Sequence, residues 1–517
     1  MVRLSGDLDG PRVAVEDSLG RPNGGPARYP PNGEYSQPLL AGESDLDVRS
    51  KYQDLLPEHE SSRASPGKLA IGFTVTMLVI ALGMWVYQPK LHRRGQLAVD
   101  TGYVDQSAGV GRLPFMGYNT WNAYWCNINE TVVLENARLM KSLGLKDVGY
   151  EYVGVDDCYS EKQRSSAGDI VANKERFPSG MKKLTDEIHS LGLKAGIYSD
   201  SGWFTCQLYP GSYGNEERDA KLFQEEWGFD LLKYDNCAIP FDSVMKEGMV
   251  GKFTRMAKAL SDLSKKTGKP QMLFSLCQWG REEPWLWARR LGHSWRTTDD
   301  INASWGSITD LLNRNSFISW ASDFFGHNDM DMLEVGNGDL SYDEAKSHFT
   351  AWALMKSPLV IGTHLQGASK ETLEILKNKE IIAINQDPVV GPGITPFRWG
   401  INPDWTYNWT HPAQYWSGRS ENGTVFMLLN TLNEPAHMFF SLTESPWIRA
   451  GRQYSVRDLW THTENGTAVR NFTVHGVPPH GVVALLLKDA GDEPEGLDPP
   501  CARPEWCMNE NGTRIDQ

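Results

Sequence analysis

The chain repeatedly places charged residues at the end of an apolar segment, and this pattern constrains its fold more than any other feature. Residues 231–237 begin as an apolar strand and end in charged side chains, and the same layout occurs at 150–157 and at 295–300. Burying charge at the end of a core strand costs desolvation free energy, so chains tolerate it mainly where the charges have a function. Acidic strand ends separated by helical segments are typical of a barrel with carboxylates gathered at its mouth.

The segment from Leu113 to about Asp387 alternates strand-like and helix-like stretches. Eight strands are predicted between the helices: Phe115–Tyr118, Tyr152–Val155, Lys194–Tyr198, Asp230–Tyr234, Met272–Leu276, Trp295–Thr298, a segment near Ile318–Phe325, and Leu359–Gly362. This number of βα units predicts an N-terminal (β/α)8 TIM barrel over residues 112–394. The alternative is a doubly wound open sheet. It would normally carry a glycine-rich phosphate loop after its first strand, and Pro114–Trp121 is not such a loop.

The helical pattern stops after about Thr395. The runs Gly423–Asn430 and His475–Leu487 are strand-like and are separated by polar turns, which predicts a small antiparallel β domain over residues 395–489. Residues 490–517 are predicted to form an extended tail. Cys501 and Cys507 are candidates for closing a small loop there.

The N-terminal part has a different composition. Residues 1–68 are rich in proline, glycine, serine and acids, and they are predicted to be a disordered cytosolic tail. Leu69–Tyr87 contains 19 residues without a charge, which is long enough to cross a bilayer. It begins too far into the chain for an ordinary cleaved signal peptide, so a signal anchor is predicted, followed by a stem over residues 88–111.

The glycosylation sequons and cysteines orient this predicted anchor, because its flanking charges do not. All seven cysteines and all seven Asn-x-Ser/Thr sequons follow residue 100; the sequons are at Asn129, Asn302, Asn408, Asn422, Asn465, Asn471 and Asn511. Glycans and disulfides both belong to the secretory lumen. The sequence therefore predicts a single-pass type II membrane protein whose larger part is luminal or extracellular. The short span favours the Golgi or other endomembranes.

The overall charge restricts the kind of partner. The formal net charge is −14 and no basic stripe is present, which argues against a nucleic-acid partner. The 19 tryptophans are compatible with a large aromatic core, or with surfaces that stack against sugar rings.

The acidic strand ends leave several chemistries to compare. The pairs at 156–157, 299–300 and 329–331 could ligate a hard cation. Lys233 and Arg296 beside them instead favour carboxylates stabilised by cations. A serine hydrolase would need a Gly-x-Ser-x-Gly elbow, which is absent, and Cys277 has the apolar flanks of an ordinary core cysteine. Two differently tuned carboxylates, as glycoside hydrolysis requires, remain as the favoured interpretation. On this interpretation Lys233 keeps Asp235 ionised, and neighbouring acids keep Asp300 protonated.

Seven motifs carry a family resemblance, and they occur in the family's order. They are Met116–Asn122, Asp156–Cys158, Gly196–Asp200, Lys233–Cys237, Trp295–Ile301, Asn328–Asn337 and Trp352–Leu359. Over roughly residues 112–487 the chain resembles the α-galactosidases and α-N-acetylgalactosaminidases of glycoside hydrolase family 27. The resemblance implies a TIM barrel followed by an antiparallel β-sandwich, a carbohydrate substrate with terminal α-linked galactose, and no cofactor. Members are often dimers, so a homodimer is a further expectation.

The resemblance also implies a retaining, double-displacement mechanism. Asp235 matches the nucleophile and Asp300 the acid/base, with its neighbour Asp299 as the rival assignment. Retention predicts that the two carboxyl groups lie about 5–5.5 Å apart.

The remaining site residues are carried over from the family in the same way. The substrate-binding residues implied are Trp121, Asp156, Asp157, Tyr198, Cys206, Lys233, Gln278, Arg296 and Asp331. The implied disulfides join Cys126 to Cys158 and Cys206 to Cys237, and Cys277 is expected to be free.

Three features of the sequence bear on substrate and glycosylation. Gln278 and Arg281 are bulky where an N-acetyl group would need space, which favours galactose over N-acetylgalactosamine. A β-L-arabinopyranosidase would have less need of both Asp156 and Asp157, and a galactose-binding membrane lectin would be expected to lack a catalytic carboxylate. A glycan on Asn302 would crowd the mouth of the pocket, so this sequon is predicted to be unoccupied.

Overall fold

A computed structural model describes residues 102–238 and 241–497, apart from the side chains of 242–245. The predicted anchor Leu69–Tyr87, the tail before it, and Cys501 and Cys507 lie outside the described residues. Within the described ranges, no helix combines the length and the apolar character needed to cross a bilayer.

Eight parallel strands form the first sheet. They are β1 (Met116–Asn119), β2 (Tyr152–Val155), β3 (Lys194–Asp200), β4 (Leu231–Asp235), β5 (Leu273–Leu276), β6 (Ser294–Arg296), β7 (His327–Asp329) and β8 (Leu359–Ile361). Each strand pairs with the next along the chain from β1 to β7, and β8 returns to pair with β1. Leu333, just after β7, donates to Val360 O at 2.7 Å and accepts from Gly362 N at 3.1 Å. This contact links the two ends of the sheet, so the architecture is TIM-like.

Helices follow most of these strands. They are α1 (Trp121–Tyr124), α2 (Glu130–Ser142), α3 (Met181–Ser190), α4 (Glu216–Lys221), α5 (Phe241–Thr267, interrupted at Gly248), α6 (Trp305–Ser316), α7 (Tyr342–Leu354), α8 (Lys370–Leu376) and α9 (Lys379–Asn385). Shorter 3₁₀ or π turns occupy Lys146–Val148, Leu222–Glu226, Pro284–Leu286, Ala288–Arg290, Ser319–Ala321 and Leu442–Glu444. The helical spacing predicted from Val133, Ala137 and Met140 is confirmed, since all three are completely buried on one face of α2.

The seventh strand is the one whose predicted position was wrong. The structure places β7 at His327–Asp329, whereas the prediction was near Ile318–Phe325. Within that predicted segment Ser319–Ala321 forms a 3₁₀ turn, and Phe325 has a φ of 62° that no strand residue adopts. The real strand is polar, and Asn328 within it is hydrogen bonded, with Trp295 Nε1 donating to its Oδ1 at 2.8 Å. A search for apolar runs therefore misses it.

A second sheet of eight strands, all antiparallel, follows. Its strands are β9 (Thr395–Arg398), β10 (Tyr415–Ser420), β11 (Gly423–Leu429), β12 (Ala436–Ser441), β13 (Arg452–Asp458), β14 (Thr463–Val469), β15 (Asn471–Val477) and β16 (Val482–Asp492). They pair in the order β12-β15-β14-β13-β16-β11-β10-β9. The two faces of β11 are both buried: Val425 and Met427 join the main core, while Phe426 and Leu428 join the core of the β domain. This explains why residues 423–430 lack a polar alternation.

Two further segments differ in detail from the sequence expectations. The run His475–Leu487 is divided between β15 and β16, because Pro478 and Pro479 have no N–H to donate to a strand ladder. Residues 102–111, which were predicted to belong to a stem, contact the barrel: Tyr103 N donates to Arg290 O at 2.7 Å and His327 Nε2 lies 3.2 Å from Gly111 O.

Candidate active site

The carboxyl ends of the parallel strands surround a cavity of about 470 Å³. All of the predicted catalytic and sugar-binding residues except Gln278 line it: Trp121, Asp156, Asp157, Tyr198, Cys206, Lys233, Asp235, Arg296, Asp300 and Asp331. These residues come from different strands and the loops that follow them, so the TIM-like fold brings them together.

Asp235 ends strand β4 and is almost completely buried. Its Oδ2 accepts a hydrogen bond from Tyr198 Oη at 2.8 Å, and its Oδ1 accepts from Asn236 N at 2.9 Å. The disulfide sulfur of Cys206 lies 3.4 Å from Oδ2 and has no proton to donate. Burial raises the pKa of Asp235, while Lys233 and the Tyr198 hydroxyl oppose that rise. The carboxyl group is thus held in a fixed orientation by donors that favour its ionised form.

Lys233 and Asp156 form a buried ion pair on the floor of the cavity. Lys233 Nζ lies 2.8 Å from Asp156 Oδ2, and Asn119 Nδ2 donates to the same oxygen at 2.8 Å. Burial alone would lower the pKa of Lys233, but Asp156 and the other negative groups nearby raise it above the usual range. The lysine therefore stays charged between Asp156 and Asp235.

Asp157 is held by the backbone. Cys158 N donates to Oδ1 at 2.7 Å and Gln207 N donates to Oδ2 at 3.0 Å. Burial raises the pKa of Asp157 to about 6 in spite of these donors. The Gln207 contact connects the ends of β2 and β3, next to the disulfide loops.

Arg296 is the centre of a second charged cluster. Its Nη2 lies 2.9 Å from Asp331 Oδ2 and 3.0 Å from Asp300 Oδ1. Burial alone would lower the pKa of Arg296, but Asp331 and Asp300 hold it above its usual range. Asp331 also accepts from Ile301 N at 2.8 Å, so it fixes the loop that carries Asp300.

The ionisation of Asp300 differs from the expectation that neighbouring acids keep it protonated. Its side chain is 75% exposed at the mouth of the cavity. Partial desolvation alone would raise the pKa of Asp300, but the charges of Arg296 and Lys233 outweigh it and hold the pKa below its usual value. The charge of Arg296, and not that of the neighbouring acids, therefore sets the ionisation of Asp300. Asp299, the rival assignment, lies outside the cavity that contains Asp235.

Gln278, predicted to recognise the sugar, does not line the cavity. Its side chain is completely buried, and neither amide atom has a hydrogen-bond partner among the described residues. Cys277 and Trp279 line the cavity instead. Strand β5 ends at Leu276, and Trp279 has a φ of 63°. The chain turns there, so the position of the Gln278 side chain does not follow from the alternation of the strand.

The structure adds residues that sequence reasoning did not assign. The additional lining residues are Asn122, Trp125, Cys277, Trp279, Ile301, Asn302, Ala303, Met332, Glu334, Asn337 and Gly338. Asn122 and Asn337 belong to the quoted motifs and could have been selected on that ground. Both donate to Glu334, whose pKa is raised by burial.

A buried layer behind Asp235 was also missed. Asp200 pairs in register with Asp235 and is completely buried, and its carboxylate accepts from Gly202 N at 2.6 Å and Cys237 N at 2.8 Å. Lys252, from helix α5, donates to Asn236 Oδ1 at 2.6 Å. Burial raises the pKa of Asp200, as does the charge of Asp235, whereas burial lowers the pKa of Lys252 to about 8. The motif Gly196–Asp200 pointed to the acid, but nothing in the sequence around Lys252 marks it.

The structure contains both disulfides implied by the resemblance, Cys126–Cys158 and Cys206–Cys237. Cys277 is buried and forms no disulfide with any described residue. In the described ranges, Asp200, Asp235, Cys206 and Cys237 form a cluster with the spacing of metal ligands. The two cysteines are already joined in a disulfide and have no thiolate to offer a metal.

Comparison with known proteins gives matches across both sheets. The family model described as alpha galactosidase A matches residues 113–387, and the model for the alpha galactosidase C-terminal beta sandwich domain matches residues 410–487. A probable alpha-galactosidase B from Penicillium simplicissimum is 40% identical over 415 residues, which is 74% of this chain and 94% of the relative.

Solved structures agree with these matches. Alpha-galactosidase I from Mortierella vinacea is 36% identical with a TM-score of 0.68, and the alignment covers 75% of this chain and 100% of that one. An α-galactosidase from Saccharomyces cerevisiae, solved with raffinose, is 30% identical with a TM-score of 0.65, covering 75% and 100%. The matched ranges include the carboxylate-lined cavity and the β domain behind it. The chain therefore belongs to the α-galactosidase family of glycoside hydrolases.

Proposed function

We propose that this chain is a retaining α-galactosidase that hydrolyses terminal α-linked galactose from glycans, glycolipids or oligosaccharides. The observation that carries the proposal is that Asp235 and Asp300 line one cavity, where the charge of Lys233 acts on Asp235 and Arg296 pairs with Asp300. Glycoside hydrolysis needs one carboxylate to act as nucleophile and a second carboxyl group to move the proton. Family membership supports the same substrate class.

The floor of the cavity is suited to a galactose ring. Asp156, Asp157 and Lys233 present acceptors and a donor side by side, as neighbouring hydroxyls of one sugar require. We expect Asp156 and Asp157 to hold the 4- and 6-hydroxyls and Lys233 the 3- and 4-hydroxyls. Trp121 gives the ring an aromatic wall, and it stacks on Trp125 with ring centroids 5.8 Å apart.

In the first proposed step, the carboxylate of Asp235 attacks the anomeric carbon while Asp300 gives its proton to the glycosidic oxygen. The bond between the sugar and the leaving group breaks, and a covalent galactosyl–Asp235 ester forms. The donors on Asp235 suit a carboxylate that must be ionised before it attacks. Asp300 must first gain a proton, and a bound galactoside favours this because it shields the exposed carboxyl group from water.

In the second step, Asp300 accepts a proton from water, and the oxygen of that water attacks the anomeric carbon. The ester breaks, Asp235 returns to its carboxylate form, and galactose leaves with its original α configuration. Arg296 and Asp331 hold Asp300 in place through both steps, since Arg296 bonds its carboxyl group and Asp331 fixes its loop.

The test uses the purified full chain and follows the anomer released first by proton NMR. Release of α-galactose is expected, and release of β-galactose would refute retention. Asp300→Asn is expected to lower kcat/KM on methyl α-galactoside, whose leaving group is too small to extend past the mouth of the cavity, by roughly 10²-fold or more, because general acid catalysis is lost. Asp299→Asn is the matched control, one residue away and outside the cavity. A larger loss in this control than in Asp300→Asn would reverse the assignment.

The substrate preference is tested separately with nitrophenyl α-galactoside and nitrophenyl α-N-acetylgalactosaminide. Cleavage of the galactoside alone, abolished in Asp235→Asn, is the expected result. Since Gln278 lies outside the cavity, Trp279 is the side chain after β5 that limits space beside the sugar. Cleavage of the acetamido sugar would make the chain an α-N-acetylgalactosaminidase. Binding of galactose without turnover would make it a lectin.

We also propose that the catalytic part is luminal or extracellular, and we favour the lumen of the Golgi or of another endomembrane compartment. The two disulfides beside the pocket and the position of the sequons support this, since both features belong to oxidising compartments. Treatment of intact sealed vesicles with protease tests it. Digestion of the catalytic part without detergent would contradict a luminal location.

A further inference from the structure

A second concave surface adjoins the catalytic cavity. It has a volume of about 600 Å³ and lies between the loop after β6, the first turns of helix α6 and residues 407–409. Asp300 and Asn302 line both the catalytic cavity and this surface, which we call the α6 groove. Asp300 therefore borders both spaces.

One wall of the α6 groove is aromatic. Tyr407 and Trp409 line it, and their side chains are 48% and 56% exposed. The Trp409 ring lies over the start of α6, where a Cβ at Gly306 would be 3.8 Å from its Cζ3. Large aromatic rings left in contact with water are a common feature of binding surfaces.

Contacts with α6 hold this wall in position. The Tyr407 hydroxyl hydrogen bonds to Asp310, and the Arg314 guanidinium lies 5.9 Å from the centre of the Tyr407 ring. Arg314 in turn pairs with Asp310 at 2.9 Å. These contacts anchor Tyr407 to α6, although residues 407–409 are distant from α6 in the chain.

The opposite wall is polar. Thr298, Asp299, Ser304 and Ser307 line it, and together they present hydroxyl and carboxylate groups. A site with exposed aromatic faces on one side and hydrogen-bonding groups on the other matches a pyranose ring, which has apolar C–H faces and hydroxyl edges.

We propose that the α6 groove binds the saccharide leaving group of an α-galactoside, with Trp409 stacking on its ring. The inference rests on the proposed function, because Asp300 there donates its proton to the glycosidic oxygen. The leaving group begins at that oxygen, so its atoms start beside Asp300, where the groove opens. The favoured substrates are then oligosaccharides and glycans whose leaving group includes at least one sugar ring.

Tyr407 and Trp409 fall in the segment between the two matched family ranges, residues 113–387 and 410–487.

The test compares two substrates that share the galactosyl group and differ in the leaving group. Raffinose carries a saccharide leaving group, whereas the leaving group of α-galactosyl fluoride is a single atom that does not extend into the groove. The measured quantity is the ratio of kcat/KM on raffinose to kcat/KM on the fluoride. In Trp409→Ala this ratio is expected to fall roughly tenfold or more, as loss of a pocket contact does elsewhere. The substitution keeps the Asn408-Trp409-Thr410 sequon acceptable, so glycosylation there is not altered by design.

Two further tryptophan variants make the result specific. Trp320 is 61% exposed and precedes β7, so it lies at the opposite end of the barrel; Trp320→Ala is the matched control and should keep the wild-type ratio. Trp125 is 67% exposed and lines the catalytic cavity, so it is the rival platform.

The outcomes separate the two proposals. If the wild-type chain cleaves both substrates and Trp409→Ala keeps the wild-type ratio, the groove proposal is overturned while the proposed function stands. A loss of ratio in Trp125→Ala without one in Trp409→Ala would place the leaving group on the other side of the mouth. If the wild-type chain cleaves neither substrate, both proposals are overturned.

Discussion

Tyr198→Phe offers a quantitative test of how the nucleophile is kept ionised. The substitution removes one hydroxyl, which donates to Asp235 Oδ2 at 2.8 Å, and it keeps the ring that fills the space. A hydrogen bond to an ionised group contributes about 1.5–3 kcal/mol. Since 1.36 kcal/mol corresponds to one pKa unit, the pKa of Asp235 should rise by about 1–2 units.

The direction of the effect follows from the charge state. The Tyr198 hydroxyl donates a stronger hydrogen bond to the carboxylate than to the neutral acid, so removing it favours the protonated form. The nucleophile must be ionised to attack, and its pKa in the free enzyme sets the acidic limb of the kcat/KM profile. This limb should therefore move to higher pH by about 1–2 units in the variant.

The assay is the pH dependence of kcat/KM on α-galactosyl fluoride, because this leaving group needs little help from an acid. Tyr150→Phe is the control, since it removes a buried hydroxyl that donates to Leu376 O at 3.0 Å away from the cavity. The control should lower stability without moving the limb. An acidic limb that stays in place in Tyr198→Phe, or moves to lower pH, would refute the argument.

Three further predictions concern stability and glycosylation. Gln278→Met should raise the free energy of unfolding by about 1 kcal/mol, because it removes a buried amide without partners; urea unfolding measures this, and a clear loss would show that the amide is satisfied. Burial lowers the pKa of His293 to about 4, so the fold loses stability as pH falls from about 6.5 to 4. His293→Asn, which keeps an acceptor for Phe274 N, should therefore reduce the difference in unfolding free energy between pH 7 and 4.5 by about 2–3 kcal/mol; an unchanged difference would contradict this. Asn302 lines both cavities and should be unglycosylated by peptide mass spectrometry, whereas an occupied Asn302 would block the α6 groove.

Strand position was predictable from the sequence wherever a strand was apolar. Tyr152–Val155 was predicted with its observed bounds, and Leu231–Asp235 was one residue from its prediction. His327–Asp329 was not found, since its side chains are polar, and Asn328 is hydrogen bonded to Trp295, which is distant in the chain. Hydrophobic periodicity reports only on strands whose burial is apolar.

The candidate site was predictable from the sequence where its residues lie in a strand or directly after one. Carboxylates and cations that directly end a strand, such as Asp235, Lys233 and Asp156, have directions given by the alternation of the strand itself. Gln278 comes after β5 has ended, where one change of backbone conformation redirects a side chain, and it does not line the cavity. The charge of Asp300 also depended on distance, because Arg296 lies 3.0 Å from it while sequence proximity suggested its acidic neighbours.

The sequence by itself determined the succession of strands and helices, the acids at the strand ends and the family motifs. It did so because desolvation confines buried charge to a few positions, and those positions recur in a recognisable order. Only the tertiary structure decided that Asp300 and not Asp299 lines the pocket, that Lys252 bonds the Asn236 side chain next to Asp235, and that Tyr407 bonds Asp310 in the α6 groove. These contacts join residues far apart in the chain, and such distances are set by how helices and loops pack on the sheet.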